Sequence, residues 1–276
     1  MKRILFPTDF SDVATNAFVH ALEFVNAVKG EIFVLHSYDL PPMDDQFFPE
    51  NFNEVYDTME LAHFDLFKEE IPKLREVIEE HHFDNIKMTH RLMEGNLAEN
   101  IKKAIEEDAI DIVIMGTTGA SEWEALFAGT NSGAVILKLA VPMLCIPAGV
   151  SYKKINTIGF ITHYRPEEKK ALHITLEIAK IFEAKIKCLH IKNIHTEVTT
   201  GTIRVWDNEF EDEAITFFTI QSDQIKQVTL DFIKNHHIDI LSMLTYKSNF
   251  FEAMFVPSYA DKTPTDIEIP VLAIHA

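Results

Sequence analysis

A glycine-rich stretch is the part of this sequence whose residue types and spacing could do chemistry. Gly116-Thr117-Thr118-Gly119 is followed, after nine residues, by Gly129-Thr130-Asn131-Ser132. Glycine lets backbone N–H groups approach a phosphate closely, and a helix beginning here adds unpaired N–H donors and a partial positive charge. The hydroxyls of Thr130 and Ser132 can add hydrogen bonds. The pattern therefore predicts an anion cradle built from backbone rather than from basic side chains.

Other phosphate and nucleophile motifs are missing from the sequence. No glycine loop ends in Gly-Lys-Ser or Gly-Lys-Thr, and no Gly-x-Gly-x-x-Gly follows the first predicted strand. No Gly-x-Ser-x-Gly turn is present either. The alternative is that the glycines only form turns. For Gly116 and Gly119 alone both interpretations stay open, whereas three glycines with hydroxyls at a helix start favour the cradle.

Apolar runs and helical spacing alternate along the first half of the chain. They predict strands at 3–8, 31–36, 86–92, 111–115 and 143–147, and helices at 14–28, 53–82, after 96 and near 131–139. We expect Gly30 to cap the first helix, Pro72 to break or kink the second, and Asn96 to begin the third. The alternation predicts an open parallel sheet with helices on both faces, and ligands bind where strands one and four end.

The chain also repeats itself. Residues 111–115 recur as 239–243, 128 positions later (239 − 111), and Leu35-His36 recurs as Leu189-His190, 154 positions later (190 − 36). The difference of 26 residues (154 − 128) is an insertion in the first half or a deletion in the second, which loses most of the long second helix. We therefore predict two domains, 1–149 and 154–276, called here the first and second repeat.

The second repeat loses the features of the cradle. At the aligned positions Asp9 becomes His163, and the three glycines become Leu244, Lys247 and Pro257. Each β-carbon blocks the approach of a phosphate, and proline removes a backbone donor, so we expect no nucleotide there. Nearby large apolar residues are interpreted as core or interface, with a hydrophobic-ligand site as the alternative: Phe250, Phe251, Met254 and Phe255.

The spacing Gly-x2-Gly-x9-Gly-Ser/Thr resembles the nucleotide signature of the universal stress protein family, and Gly116, Gly119, Gly129 and Thr130 satisfy it. Pro7-Thr8-Asp9-Phe10-Ser11 resembles the family's opening motif, and Leu35-His36-Ser37 and Val141-Pro142-Met143-Leu144 are also similar to the family. The resemblance covers nearly the whole chain, twice. It implies two tandem Rossmann-like domains of the adenine nucleotide alpha hydrolase-like type.

The resemblance implies a site for ATP, or for ADP or AMP, in the first repeat, with Mg²⁺ as an optional companion. Asp9 would accept hydrogen bonds from adenine or ribose; the alternative is that it caps the first helix. Pro7, Thr8 and Ser37 would frame the base. Ser37 departs from the apolar residue that is usual there, although the contact expected is a backbone one. The implied binding set is completed by Met115, Gly116, Thr117, Gly119, Gly129, Thr130, Asn131 and Ser132.

The implied function is regulatory: ATP binding at residues 116–130 changes the surface that an unknown protein partner meets. No dedicated general base stands near the glycines, so a committed enzyme is not expected, although slow ATP hydrolysis stays open. One alternative is a nucleotide-independent scaffold that binds proteins. Another, an adenylating enzyme, would need a Ser-Gly-Gly-type loop where Thr8-Asp9-Phe10-Ser11 stands.

Composition excludes several other classes of function. The formal net charge of −18 argues against nucleic-acid and anionic-membrane partners. Neither a membrane span nor a signal peptide is found, so we expect a cytoplasmic protein. Cys145 and Cys188 lie in apolar runs and are predicted to be reduced and buried. The pairs His81-His82 and His236-His237 and the acidic run 209–213 are interpreted as surface rather than as metal sites.

Edge strands give one architectural expectation. Universal stress proteins commonly dimerise through the edge that carries the fifth strand. The resemblance therefore implies that Met143–Pro147 faces 271–275 within one chain, as an intrachain pseudo-dimer that covers two hydrophobic edges. A homodimer of the whole chain stays open.

Overall fold

The computed structural model describes residues 1–39, 52–117, 139–192, 198–245 and 267–275. Two compact units divide the chain, Met1–Gly116 and Thr117–Ala276. The division places residues 117–149 of the first repeat in the second unit. The predicted helix near 131–139 and the apolar cluster 250–255 lie outside the described residues, except Leu139, which is buried and not helical.

The first unit is built from alternating strands and helices, as the periodicity predicts. In chain order the elements are β1 (Arg3–Pro7), α1 (Asp12–Val28), β2 (Glu31–Tyr38), α2 (Phe52–Glu80), β3 (Lys87–Glu94), α3 (Leu97–Asp108) and β4 (Ile112–Thr117). Its parallel sheet has the order β3-β2-β1-β4. The chain moves outward from β1 to β3 and then returns to the other side of β1, so the strand order reverses between β1 and β4.

The second unit repeats this plan. Its elements are β5 (Met143–Pro147), β6 (Thr157–Ile161), α4 (Glu168–Phe182), β7 (Lys185–Lys192), α5 (Thr200–Glu209), β8 (Ile215–Gln221), α6 (Ile225–Asn235), β9 (Ile240–Leu244) and β10 (Val271–Ile274). The strand order is β5-β10-β9-β6-β7-β8. Helix α5 has 10 residues and its counterpart α2 has 29, which confirms the predicted loss of most of that helix.

The expected pairing of edge strands is present in the second unit. Strand β10 runs antiparallel to β5, with Val271 opposite Cys145 and Ala273 opposite Met143. The other strand pairs of this unit are parallel. Both strands are almost completely buried, so the pairing protects two apolar edges from intermolecular association.

Matching hydrogen bonds confirm the duplication at the level of single residues. Asp111 Oδ2 accepts from the backbone N–H groups of Lys2 and Arg3, at 2.6 and 3.0 Å. Its counterpart Asp239 accepts from Asn156 and Thr157, at 2.8 and 2.9 Å. Left-handed backbone recurs too: Phe10, Lys29 and Ala109 have positive φ, and so have their counterparts Tyr164, Glu183 and His237.

The structure differs from the sequence prediction at the end of α1 and at Pro72 in α2. The left-handed C-cap of α1 is Lys29, with φ 52°, and not Gly30. Gly30 instead donates its N–H to Val25 O, and a β-carbon there would overlap the carbonyl oxygen of Lys2, so close strand contact explains the glycine. Helix α2 continues through Pro72 without ending, whereas Asn96 caps α3 as predicted, accepting from Ala98 N at 2.9 Å.

Other residue predictions are settled by burial. Cys145 and Cys188 are free thiols with no exposed surface, as expected. In the acidic run 209–213 the carboxylates reach the surface, where Glu213 pairs with Lys180 at 2.7 Å, but Phe210 is buried. His81 and His82 are exposed beyond the end of α2.

Candidate functional site

The candidate site lies at the carboxyl ends of β1, β2 and β4. Pro7 pairs with Leu35 across β1 and β2, and the N–H of Thr8 donates to Leu35 O at 2.8 Å. Strand β1 lies between β2 and β4, so Thr8, Ser37 and Met115 end neighbouring strands at one edge of the sheet. This edge is the point of reversed strand order, where α/β proteins bind ligands.

The turn after β1 is held by its own side chains. Thr8 Oγ1 accepts from Phe10 N at 2.9 Å, and Asp9 Oδ1 accepts from Ser11 N at 2.9 Å. Ser11 Oγ caps α1 by accepting from Ala14 N at 3.2 Å. The alternative that Asp9 caps the helix is therefore wrong. Asp9 is exposed, and its carboxylate lies at the surface of the turn.

Phe10 is a residue of this turn that sequence reasoning missed. Its φ of 63° lies in the left-handed region, which costs about 1–2 kcal/mol for a residue with a side chain. Packing offsets that cost, because the ring lies 4.9 Å from His36 and 6.1 Å from Phe67 on α2. His36 is buried and donates from Nδ1 to Thr8 O at 2.8 Å. The repeated Leu-His pair of the sequence marks this histidine as structural.

Close packing explains why residue 116 is a glycine. A β-carbon at this position would lie 2.9 Å from the carbonyl oxygen of Val13 and 3.1 Å from its side chain. The absence of that carbon lets the end of β4 approach the first turn of α1. Close packing between β4 and α1 therefore requires a glycine here, and the role of Gly116 in a phosphate cradle stays a prediction.

The other described site residues are placed as follows. Pro7 and Thr8 are buried at the end of β1, and Met115 is buried in β4. Ser37 Oγ accepts from Asn100 Nδ2 at 3.1 Å, and the expected backbone contact of Ser37 with a ligand stays a prediction. Thr117 is buried, and its hydroxyl donates to Ile146 O at 3.4 Å. The remaining predicted residues lie outside the described part of the chain: Gly119, Gly129, Thr130, Asn131 and Ser132.

The corresponding turn of the second repeat has the same backbone. Tyr164 takes the place of Phe10, with φ 59°, and its N–H donates to Thr162 Oγ1 at 2.9 Å. His190 Nδ1 lies 3.0 Å from Thr162 O, as His36 Nδ1 does from Thr8 O in the first repeat. The turn is therefore conserved between the repeats although four of its five residues differ.

One carboxylate fills the second-repeat turn. Glu168 Oε2 accepts from Thr162 Oγ1 and His163 N, both at 2.8 Å, and from Arg165 N at 3.2 Å. Its Oε1 lies 3.5 Å from His163 Nδ1. Burial opposes the ionised form, but these hydrogen bonds outweigh it and hold the pKa of Glu168 below its ordinary value. The Glu168 carboxylate thus accepts the hydrogen bonds that this turn can donate. The aligned residue of the first repeat is Ala14, which has no such group.

Metal ligands are not clustered in the part of the chain that the structure describes. No group of three or more His, Cys, Asp or Glu side chains within these ranges has the arrangement of a metal site. Among the described residues of the candidate site, the exposed Asp9 carboxylate can accept hydrogen bonds from a ligand.

Fold and site together define a tandem α/β protein with Rossmann-like domains, whose candidate site lies in the first repeat. The model of the universal stress protein family matches residues 1–147 of the 276. The chain belongs to the universal stress protein family.

Two proteins of Methanocaldococcus jannaschii are similar to about half of this chain. Universal stress protein MJ0531 is 28% identical over 149 residues, covering 52% of this chain and 81% of that protein. Universal stress protein MJ0577 is 27% identical over 152 residues, covering 52% of this chain and 94% of that protein.

A solved structure is similar along both repeats. The crystal structure of a universal stress protein from Archaeoglobus fulgidus matches 99% of this chain and 96% of its own chain, with a TM-score of 0.68 and 18% identity. At this identity the likeness shows the fold alone, and it includes the second repeat, where the family model does not match. Among the described residues no helix is long and apolar enough to span a bilayer.

Proposed function

We propose that this protein is a stress-response regulator that binds ATP or another adenine nucleotide in its first repeat and none in its second. Nucleotide binding changes the surface that a protein partner meets, and the proposed setting is the cytoplasm. The second repeat acts as an internal partner for the first in place of a second subunit. Catalytic turnover is not part of the proposal.

The observation that carries the proposal is the contrast between the turns after β1 and β6. In the second repeat the buried Glu168 carboxylate takes the backbone donors at 163 and 165. In the first repeat Ala14 stands at that position, and Asp9 presents an exposed carboxylate. A ligand bearing hydroxyl and amine donors, as ribose and adenine do, can use Asp9, whereas an anionic ligand meets a buried like charge in the second repeat.

The glycine positions also support nucleotide binding in the first repeat and none in the second. Val13 leaves no room for a β-carbon at residue 116, so the end of β4 carries no side chain there. The aligned position in β9 is the buried Leu244. Family membership and the match of the glycine spacing then favour a nucleotide with phosphates held beyond Gly116.

Calorimetric titration of the full chain with ATP, ADP and AMP in the presence of Mg²⁺ tests the proposal. We expect one site per chain, and Asp9→His, which copies His163, should weaken binding about tenfold or more because a charge-assisted hydrogen bond is lost. Asp12→His makes the same change of charge on an exposed residue three positions along and should leave affinity within about threefold. No binding by folded wild type at millimolar nucleotide would leave a protein-binding scaffold as the function.

A further inference from the structure

A cavity lies in the second unit, beside the turn that aligns with the candidate nucleotide site of the first repeat. It has a volume of about 340 Å³, within the range of small-molecule sites. Its walls include three aromatic rings, two carboxylates and two threonines of β8: Tyr164, Phe210, Phe217, Asp207, Glu211, Thr216 and Thr219. We call it the Tyr164 cavity.

The shortening of the helix after β7 accounts for the cavity. In the first repeat, Phe67 from the 29-residue helix α2 packs 6.1 Å from Phe10. In the second repeat the 10-residue helix α5 covers Tyr164, the counterpart of Phe10, with Trp206 at 5.3 Å. Tyr164 also lies 6.1 Å from Phe217 of β8, and both rings border the open space beneath α5.

The Tyr164 hydroxyl is a buried polar group without a partner. Only 4% of this residue is exposed, and among the described residues no group forms a hydrogen bond of normal geometry with the hydroxyl. Thr219, which also lines the cavity, is close enough to lower the pKa of this phenol slightly, but its contact with the hydroxyl does not have the geometry of a normal hydrogen bond. Burial, and to a lesser degree the charge of Asp207, raises the pKa of this phenol well above its ordinary value, so it stays neutral. A neutral phenol can both donate to and accept from a ligand.

The charges at the cavity favour a cation. Asp207 and Glu211 are exposed carboxylates four positions apart at its rim, and none of the described residues that line it is basic. The whole chain carries a formal net charge of −18, which further disfavours an anion such as a nucleotide. Aromatic faces stabilise ammonium groups, and the apolar walls accept a hydrocarbon body.

We infer that the Tyr164 cavity binds a small organic cation, namely an amine with an aromatic or branched apolar body. The ammonium group lies at Asp207, its hydrogens shared with the Tyr164 hydroxyl, and the body of the ligand packs against Phe210 and Phe217. The inference does not depend on nucleotide binding in the first repeat.

Calorimetric titration of the full chain with phenethylamine and with its neutral isostere 2-phenylethanol tests this inference at pH 7. We expect the amine to bind at one site and the alcohol to bind about tenfold more weakly, because only the amine forms the ion pair. Asp207→Asn should weaken amine binding about tenfold and leave alcohol binding unchanged. Tyr164→Phe, which removes only the hydroxyl, should weaken both probes.

Asp212→Asn is the matched control, because Asp212 is exposed, lies close to Asp207 in the chain and does not line the cavity. It should leave both affinities within about twofold. Amine binding no tighter than alcohol binding, an unchanged affinity in folded Asp207→Asn, or no amine binding at about 10 mM would each overturn the inference.

Discussion

The turns after β1 and β6 share one backbone conformation, but different side chains fill them. In both, a threonine hydroxyl accepts from the residue two positions on, that residue has left-handed backbone, and a buried histidine contacts the threonine carbonyl. They differ where Ala14 is replaced by Glu168, whose carboxylate binds the turn from inside. The two repeats therefore keep the same turn framework, while in the second repeat a helix side chain supplies an internal acceptor that the first repeat lacks.

The largest predicted effect is on the internal carboxylate. Glu168→Ala leaves a buried hydroxyl and two backbone N–H groups without their ionised acceptor, and should lower the free energy of unfolding by about 3 kcal/mol. Denaturant unfolding followed by circular dichroism measures this loss. Glu177→Ala, at an exposed position of the same helix, should change stability by less than about 0.5 kcal/mol. Equal effects of the two substitutions would show that Glu168 does not hold the turn.

The next effect concerns a feature that the repeats share. Asp111→Ala and Asp239→Ala each remove a carboxylate oxygen that accepts two backbone N–H bonds at the start of a strand. Each should cost about 1–2 kcal/mol of unfolding free energy, because the lost bonds are charge-assisted but partly exposed. The same denaturant experiment measures both. A loss confined to one repeat would mean that the framework has diverged as well as the site.

The smallest effect is a dependence on pH. The folded-state pKa of Glu168 lies below its ordinary value of 4.5, so its stabilising contribution is complete above that pH and is lost as pH falls through the folded-state pKa. Glu168→Gln should therefore lose less stability than wild type on acidification below about pH 4.5, by about 1 kcal/mol. Thermal melts of both proteins from pH 7 to pH 3 test this. Parallel profiles would contradict an ionised Glu168 in the folded turn.

Sequence alone predicts the framework well because its signals are periodic and occur twice. The strand and helix alternation and the short helix of the second repeat follow from apolar spacing and from the two offsets, and the pairing of β5 with β10 follows from the resemblance to the universal stress protein family. Close packing between elements is harder to predict from the sequence. The sequence assigns Gly30 to a helix cap, whereas its backbone approaches Lys2, and Lys29 takes the left-handed position.

The side-chain contacts in the turns after β1 and β6 are less predictable, because they depend on tertiary structure. Glu168 looks like an ordinary acidic residue in the first turn of a helix, where it also suits the helix dipole. Only the tertiary structure shows its side chain returning to the turn before the helix. Ser11, rather than Asp9, caps α1 for a similar reason: both side chains are competent, and the left-handed Phe10 between them decides which one reaches Ala14.

The most direct test of the account places the second-repeat turn in the first repeat. Asp9→His with Ala14→Glu copies the His163 and Glu168 arrangement, and ATP binding by the folded double variant is compared with wild type by calorimetry, with melting curves and Asp9→His alone as controls. The account predicts that wild type binds ATP and that the folded double variant binds at least about a hundredfold more weakly, because an internal carboxylate occupies the turn. ATP binding by the double variant with wild-type affinity would contradict it.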